Sequence, residues 1–255
     1  MEARLPQDKL ARAKQALHQW SLKKSATLRE LQSLIGTPQF ACRVIAPGPP
    51  FLQRIIHLTM GTHPPHWHIK LNAGFRKDIK MWVDFLEHWN GVSIFLDSHV
   101  SKTPDLQLFT DASGSIGYRG FLDGLWFQGH WLPEHTLNKN RGISIEWQEL
   151  FPIYLACVLW GPTWSGKRIL MWYGNQSVVA ILNSKHCKSP RIMDLVRSIT
   201  LLTLSNNFTI SATHIPGLDN AIADSLSRFQ MDRFGALAPT ASLTPCVIPS
   251  SAMLI

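Results

Sequence analysis

The sequence predicts an α/β protein: a mixed five-stranded sheet with flanking helices, preceded by a mainly helical segment. Three observations carry that expectation. Over residues 1–100, apolar side chains recur at three- and four-residue spacing, the stripe of amphipathic helices. After Asp97 come three short apolar runs separated by Gly, Ser and Asp, as in a meander. From Ile145 onward helical and strand patterns alternate, which adds strands to the meander and helices to its faces.

Taken in order, Leu10, Ala13, Leu17 and Trp20 form the apolar face of a helix over 6–20. Thr27 and Glu30 have the spacing of a capping box and open a second helix through Leu31, Leu34 and Ile35. Residues 51–60 and 73–89 add two more helices, divided by the turn at Pro64 and Pro65. The meander strands fall at 106–110, 116–122 and 125–131. They are followed by a long apolar helix at 145–160, a buried strand at 168–173, helices at 176–183 and 191–204, a strand at 208–213 and a short helix at 220–228. The segment 231–255, with Pro and Ser clusters and no periodicity from Ala236 on, is expected to be a disordered tail.

Bulk properties narrow the classes of function. With 255 residues, 45% hydrophobic residues and ten Trp, the chain can bury a sizeable core. The formal net charge of +8 favours a polyanionic partner such as nucleic acid. Cys42, Cys157, Cys187 and Cys246 form no Cys-x-x-Cys pair, so neither a zinc ribbon nor a disulfide framework is indicated. The N-terminus is polar and the longest apolar stretch, near 150–160, is far short of the ~20 residues a membrane span needs. These features predict an intracellular protein, cytoplasmic or nuclear, with no signal peptide and no membrane partner.

Three carboxylates fall where this fold would gather them. Asp111 ends a strand in LFTDASGSIGYRG, with small residues after it that leave room for a ligand. Glu149 sits on the apolar helix in EWQELFPIYLA, and Asp224 on the short helix in THIPGLDNAIADSLSR. Singly, an Asp after a strand is commonly a turn former and a Glu on a helix a solvated face. Together at one sheet edge they would repel unless a cation lay among them, and oxygen-only ligation suits magnesium. Two such ions about 3.5 to 4 Å apart activate a water and stabilise the leaving oxygen in phosphodiester cleavage.

The phrases FTDAS, ELFPIYLA and HIPGLDNAIADSLSR resemble the successive motifs of the ribonuclease H domain in retroviral and retrotransposon reverse transcriptases. FQMDRFGALAP and the upstream LRELQSLIGTPQFACRVIAPGPPFLQRIIHLT resemble DIRS-like elements, which pair a reverse transcriptase with a tyrosine recombinase. The resemblance covers residues 1–240 and implies a thumb or connection segment over 1–100 and a ribonuclease H-like domain over 101–230. It also implies that Asp111, Glu149 and Asp224 are metal-binding carboxylates for a two-ion magnesium site, and that His214 is the loop histidine assisting product release. Ser113, Asn175 and Asn220 are the positions implied to meet nucleic acid, Asn220 by contacting the substrate backbone or supporting the loop. The partner so implied is an RNA–DNA hybrid, along with other parts of a retroelement polyprotein. One position departs from the pattern: where the family has Asp-Asn after the strand ILMWY, this chain has Gly174-Asn175. Glycine cannot ligate a metal, so hydrolysis is expected to be impaired, and Glu146, one turn before Glu149, is poorly placed to substitute.

No aromatic-x-Asp-Asp motif of a polymerase palm occurs in the chain, and MEARLPQDKL resembles the stretch just after the palm, which implies a reading frame opening at an internal methionine. GPTWSGK at 161–167 has the outline of a phosphate loop, but Arg168 follows where Ser or Thr is needed. His63, His66 and His68 flank a Pro pair and lack a fourth ligand, so a turn is expected there rather than a zinc site. Arg76, Lys77 and Lys80, interleaved with Trp82 and Trp89, suit either a phosphate-tracking face or a solvated helix over buried tryptophans. The competing functions are an active hybrid-cutting endonuclease, a binding module that has lost turnover, an integrase or resolvase on the same fold, and a non-functional retroelement remnant. Gly174 favours the binding module.

Overall fold

The computed structural model describes residues 2–42, 44–45, 48–61, 64–89, 92–94, 104–138, 140, 143–216, 222, 225–226 and 228–254. The chain divides into two compact units, Met1–Phe95 and Leu96–Ile255.

The first unit contains β1 (Glu2–Arg4), α1 (Gln7–Leu22), β2 (Ser25–Thr27), α2 (Leu28–Ala41), α3 (Gln53–Leu58), β3 (His68–Lys70), α4 (Ala73–His88) and β4 (Val92–Ile94). The predicted stripe of α1 is buried through Leu10, Ala13, Leu17 and Trp20. α2 begins at the predicted capping box: the Glu30 amide donates to Thr27 Oγ1, and the Thr27 amide donates to Glu30 Oε2 at 2.7 Å. Lys23 also binds Glu30, and that hydrogen bond is the main reason its carboxyl is held at about 2. Asn72 caps α4, accepting from the Phe75 amide at 2.8 Å. Two antiparallel pairs, β1 with β4 and β2 with β3, were not foreseen; each strand is three residues long, too short for an alternation to register.

The second unit contains β5 (Leu106–Ala112), β6 (Gly117–Leu122), β7 (Leu125–His130), α5 (Ile145–Trp160), β8 (Arg168–Tyr173), α6 (Gln176–Ser184), α7 (Pro190–Ser205), β9 (Thr209–His214) and α8 (Met231–Leu237). Its five-stranded sheet has the order β7-β6-β5-β8-β9. β6 runs antiparallel to both neighbours, whereas β5, β8 and β9 are parallel. Asp123 and Gly124, with φ of 46° and 82°, join β6 to β7. An Asp-Gly pair at positive φ is the two-residue turn that matches strand twist. α5, capped by Ser144, buries most of its Leu150–Trp160 stretch, which accords with the apolar run there. Its Phe151 and Trp147 join Leu108, Tyr118, Tyr173 and residues of α7 in the main core. GPTWSGK forms a 3₁₀ turn at Gly161–Thr163 leading into β8, not a phosphate loop.

The opposite face of the sheet carries a smaller cluster of Trp126, Leu226, Phe234 and Ala238. The segment from residue 231 is folded, contrary to the disorder expected of it. The Ser242 amide donates to the Gly124 carbonyl, the Cys246 amide to the Trp126 carbonyl, and Trp126 Nε1 to the Ser242 carbonyl. Ala252 is buried in the main core, and Tyr118 Oη lies 3.4 Å from Met253 Sδ. The segment is held by spaced backbone bonds along the edge strand β7, contacts that need no hydrophobic period.

Candidate active site

β5 carries Asp111 in its last turn of the pleat, directly opposite Arg119 of β6. On the other side β5 runs parallel to β8, the register closing with Phe109 beside Trp172; Asp111 lies two residues beyond that pair on β5, and Gly174 just past the end of β8. β9 follows with His214 beside Tyr173. The ends of the three parallel strands thus set Asp111, Gly174 and His214 along one edge, with adjacent strands about 4.8 Å apart.

Glu149 reaches this edge from the second turn of α5. Burial, then the charges of Asp111 and Glu146, push its carboxyl up to about 8. The charge of Asp111 therefore acts on the Glu149 carboxyl, second to the effect of burial. The backbone here is fixed by Tyr173: its hydroxyl donates to the Glu149 carbonyl and accepts from Thr110 Oγ1, tying the end of β8 to α5 and β5. Burial and the neighbouring carboxylates hold that phenol well above its ordinary value, so it stays a donor. Gln148 adds a second tie, donating from Nε2 to the carbonyls of Gly114 and His135. Neither Tyr173 nor Gln148 stands out in the sequence, because both act through backbone carbonyls.

Of the other predicted site residues, Ser113 lies just past β5, where its amide donates to the Gly117 carbonyl and its carbonyl accepts from Trp131 Nε1 at 2.6 Å. Asn175 is the N-cap of α6, its Oδ1 accepting from the Ser177 amide at 2.9 Å. His214 is exposed at the end of β9. Asp224 and Asn220, with most of the 220–228 helix, lie outside the described residues, as does His63 of the histidine tract. Among the described residues no group of three or more His, Cys, Asp or Glu side chains is placed to hold a metal ion. Gly174 is exposed, and a Cβ built on it meets nothing within 4 Å, so a side chain there has open space.

Arg119 completes the edge from below. It is 0% exposed, its guanidinium lies 3.7 Å over the Phe229 ring, and Nη1 donates to Gln128 Oε1 at 3.2 Å.

No family model matches the chain, and no curated protein matches it. Among solved structures it is similar to RNase H1 from the halophilic archaeon Halobacterium salinarum, with 16% identity over 50% of this chain and 97% of that one at a TM-score of 0.38. It is also similar to the foamy viral protease-reverse transcriptase in complex with dsDNA, with 16% identity, 81% of this chain, 41% of that one and a TM-score of 0.30. The same foamy viral protein in complex with an RNA/DNA hybrid gives 15% identity, 81% of this chain, 27% of that one and a TM-score of 0.28. The chain spans less than half of that viral protein. What decides the fold is the strand sequence 3-2-1-4-5 with only the second strand reversed, flanked by helices. This is the ribonuclease H-like fold. The first and fourth strands of this sheet, β5 and β8, are central neighbours.

Proposed function

We propose that this chain is a retroelement-derived reverse transcriptase fragment, of DIRS-like type, whose ribonuclease H-like domain binds nucleic acid, an RNA–DNA hybrid foremost, while its RNA-strand hydrolysis is impaired. On this reading residues 1–100 are a thumb or connection segment, the protein acts inside the cell, and other parts of a retroelement polyprotein are its natural partners. Among the described residues no helix is long and apolar enough to cross a membrane. The net charge of +8 supports a polyanionic partner. Minor-groove shape and 2′-hydroxyls are the features by which such a duplex is recognised.

The reading is supported by Gly174, in open space just past the end of β8, the parallel neighbour of the strand that carries Asp111, at the position where the resembled motif has an aspartate. The remaining donors suit magnesium in kind: Asp111 and Glu149 offer carboxylate oxygens, and a divalent ion would offset the burial and the neighbouring charge that raise the Glu149 carboxyl. Asp224 would join them on the resemblance alone. A bound ion would activate a water for attack on phosphorus. Of this chain's own residues, Tyr173 holds the backbone of Glu149, and His214 stands at the exposed strand end where the cleaved strand would leave.

The test is cleavage of a labelled RNA–DNA hybrid, with magnesium or manganese, by the unaltered chain, Gly174→Asp and Asp111→Asn. Cutting by Gly174→Asp alone is the expected result. If the unaltered chain cuts and Asp111→Asn does not, the site is an active nuclease and Gly174 is not its lesion. Hybrid binding that weakens steeply with salt separates a binding module from an inert remnant.

A further inference from the structure

Arg119 lies on β6, and sequence reading passes over it as one residue of a strand. Its surroundings are unusual for a guanidinium. It is fully buried, yet among the described residues only Nη1 has a hydrogen-bond acceptor; Nε and Nη2 have none. The ring of Phe229, held at a positive φ of 56°, covers one face of the cation. A buried charge of this kind is costly unless an opposite charge lies close by. The acid whose charge acts on it is Asp111, its directly opposed residue on β5. Opposed residues in an antiparallel pair have Cβ atoms roughly 5 Å apart.

Resting on the nuclease-derived reading above, we propose that Arg119 is a resident cation of the carboxylate edge, a fixed positive charge across the strand pair from Asp111 that lowers the affinity of this site for a divalent metal ion. The guanidinium compensates Asp111 in the absence of metal, and any divalent ion that ligates Asp111 meets a like charge behind it. Arg119 is a positioning and tuning residue: it is fully buried and touches no substrate. Its effect is separate from that of Gly174, which removes a ligand without adding a charge.

The test is manganese binding by isothermal titration calorimetry, without nucleic acid, on the full chain. Arg119→Met keeps apolar contact with Phe229 and removes the charge; it should bind manganese roughly tenfold tighter than the unaltered chain. Arg119→Lys should stay close to the unaltered chain, and adding Asp111→Asn to Arg119→Met should abolish the gain. Equal affinity of Arg119→Met and the unaltered chain overturns the proposal. Thermal unfolding gives a second readout that does not require Arg119→Met to fold. If Arg119 is the counter-charge of Asp111, Asp111→Asn lowers the melting temperature; if that variant melts higher, Asp111 is dominated by repulsion from Glu149 and the proposal fails. Failure of Gly174→Asp to cut a hybrid, with the manganese trend intact, would sink the nuclease-derived reading and leave the role of Arg119 standing.

Discussion

Glu149→Gln measures how strongly burial and neighbouring charge together penalise the ionised Glu149 carboxyl. Burial and the carboxylates of Asp111 and Glu146 raise Glu149 from 4.5 to about 8. At about 1.4 kcal/mol per pH unit, this penalises the ionised form by on the order of 5 kcal/mol. Because the residue is only partly covered, solvent screening reduces that to a few kcal/mol. The sign follows from proton counts. Between about 4.5 and 8 the folded chain holds a proton that the unfolded chain has released, so stability falls as pH rises through this window. Below it both states are protonated and the effect vanishes. The assay is urea unfolding of the native chain and Glu149→Gln at about pH 5 and about pH 9, comparing only their difference so that other titrating groups cancel. Glu149→Gln should be roughly 2 to 3 kcal/mol more stable than the native chain at about pH 9 relative to their difference at about pH 5. A difference that does not change with pH would refute the raised Glu149 carboxyl and the burial and neighbouring charge invoked for it.

Two further perturbations test the packing of each unit. Truncation after Leu237 removes the bonds of Ser242 and Cys246 to the β6–β7 hairpin and the buried Ala252, and should cost about 3 kcal/mol or more in urea unfolding; a truncated chain of native stability would mean the segment is not held as described. In the first unit, Arg54 donates to Asp78 at 3.0 Å, and Asp78 is 1% exposed. Arg54→Met takes that cation from a buried carboxylate and should destabilise the unit by roughly 3 to 5 kcal/mol, whereas a loss below about 1 kcal/mol would show that the pair is screened.

The sheet was largely legible from sequence because its signals are local. The short apolar runs of the meander, broken by Gly, Ser and Asp, and the apolar stretch near 150–160 of α5 each follow from a few adjacent residues. What was not legible depends on distant pairing. Strand alternation puts Arg119 on the face opposite Tyr118, a face that an antiparallel meander commonly leaves in water. Here Phe229 and the cluster around Phe234 cover it, and they lie more than a hundred positions away in sequence. The same distance hid the folded tail, whose attachments are to the backbone of β7 and its turn. Tyr173 reads as one more apolar strand residue, although its hydroxyl is what joins β8 to α5.

The two features that bear most on chemistry act in the same direction by different routes. On the proposed reading, Gly174 leaves one carboxylate fewer at the strand ends, and Arg119 sets one fixed positive charge against those that remain. Both changes make the edge less negative. A less negative edge holds a divalent ion less well, since the attraction scales with the summed ligand charge. It also repels a phosphate backbone less, and in a chain of net charge +8 that favours retention of a bound polyanion without the metal. On the proposed reading, loss of turnover and persistence of binding would both follow from a less negative edge. Hybrid affinity provides the check: Asp111→Asn should bind at least as tightly as the unaltered chain in the absence of divalent ions, and weaker binding would show that Asp111 serves the duplex in some way other than through its charge.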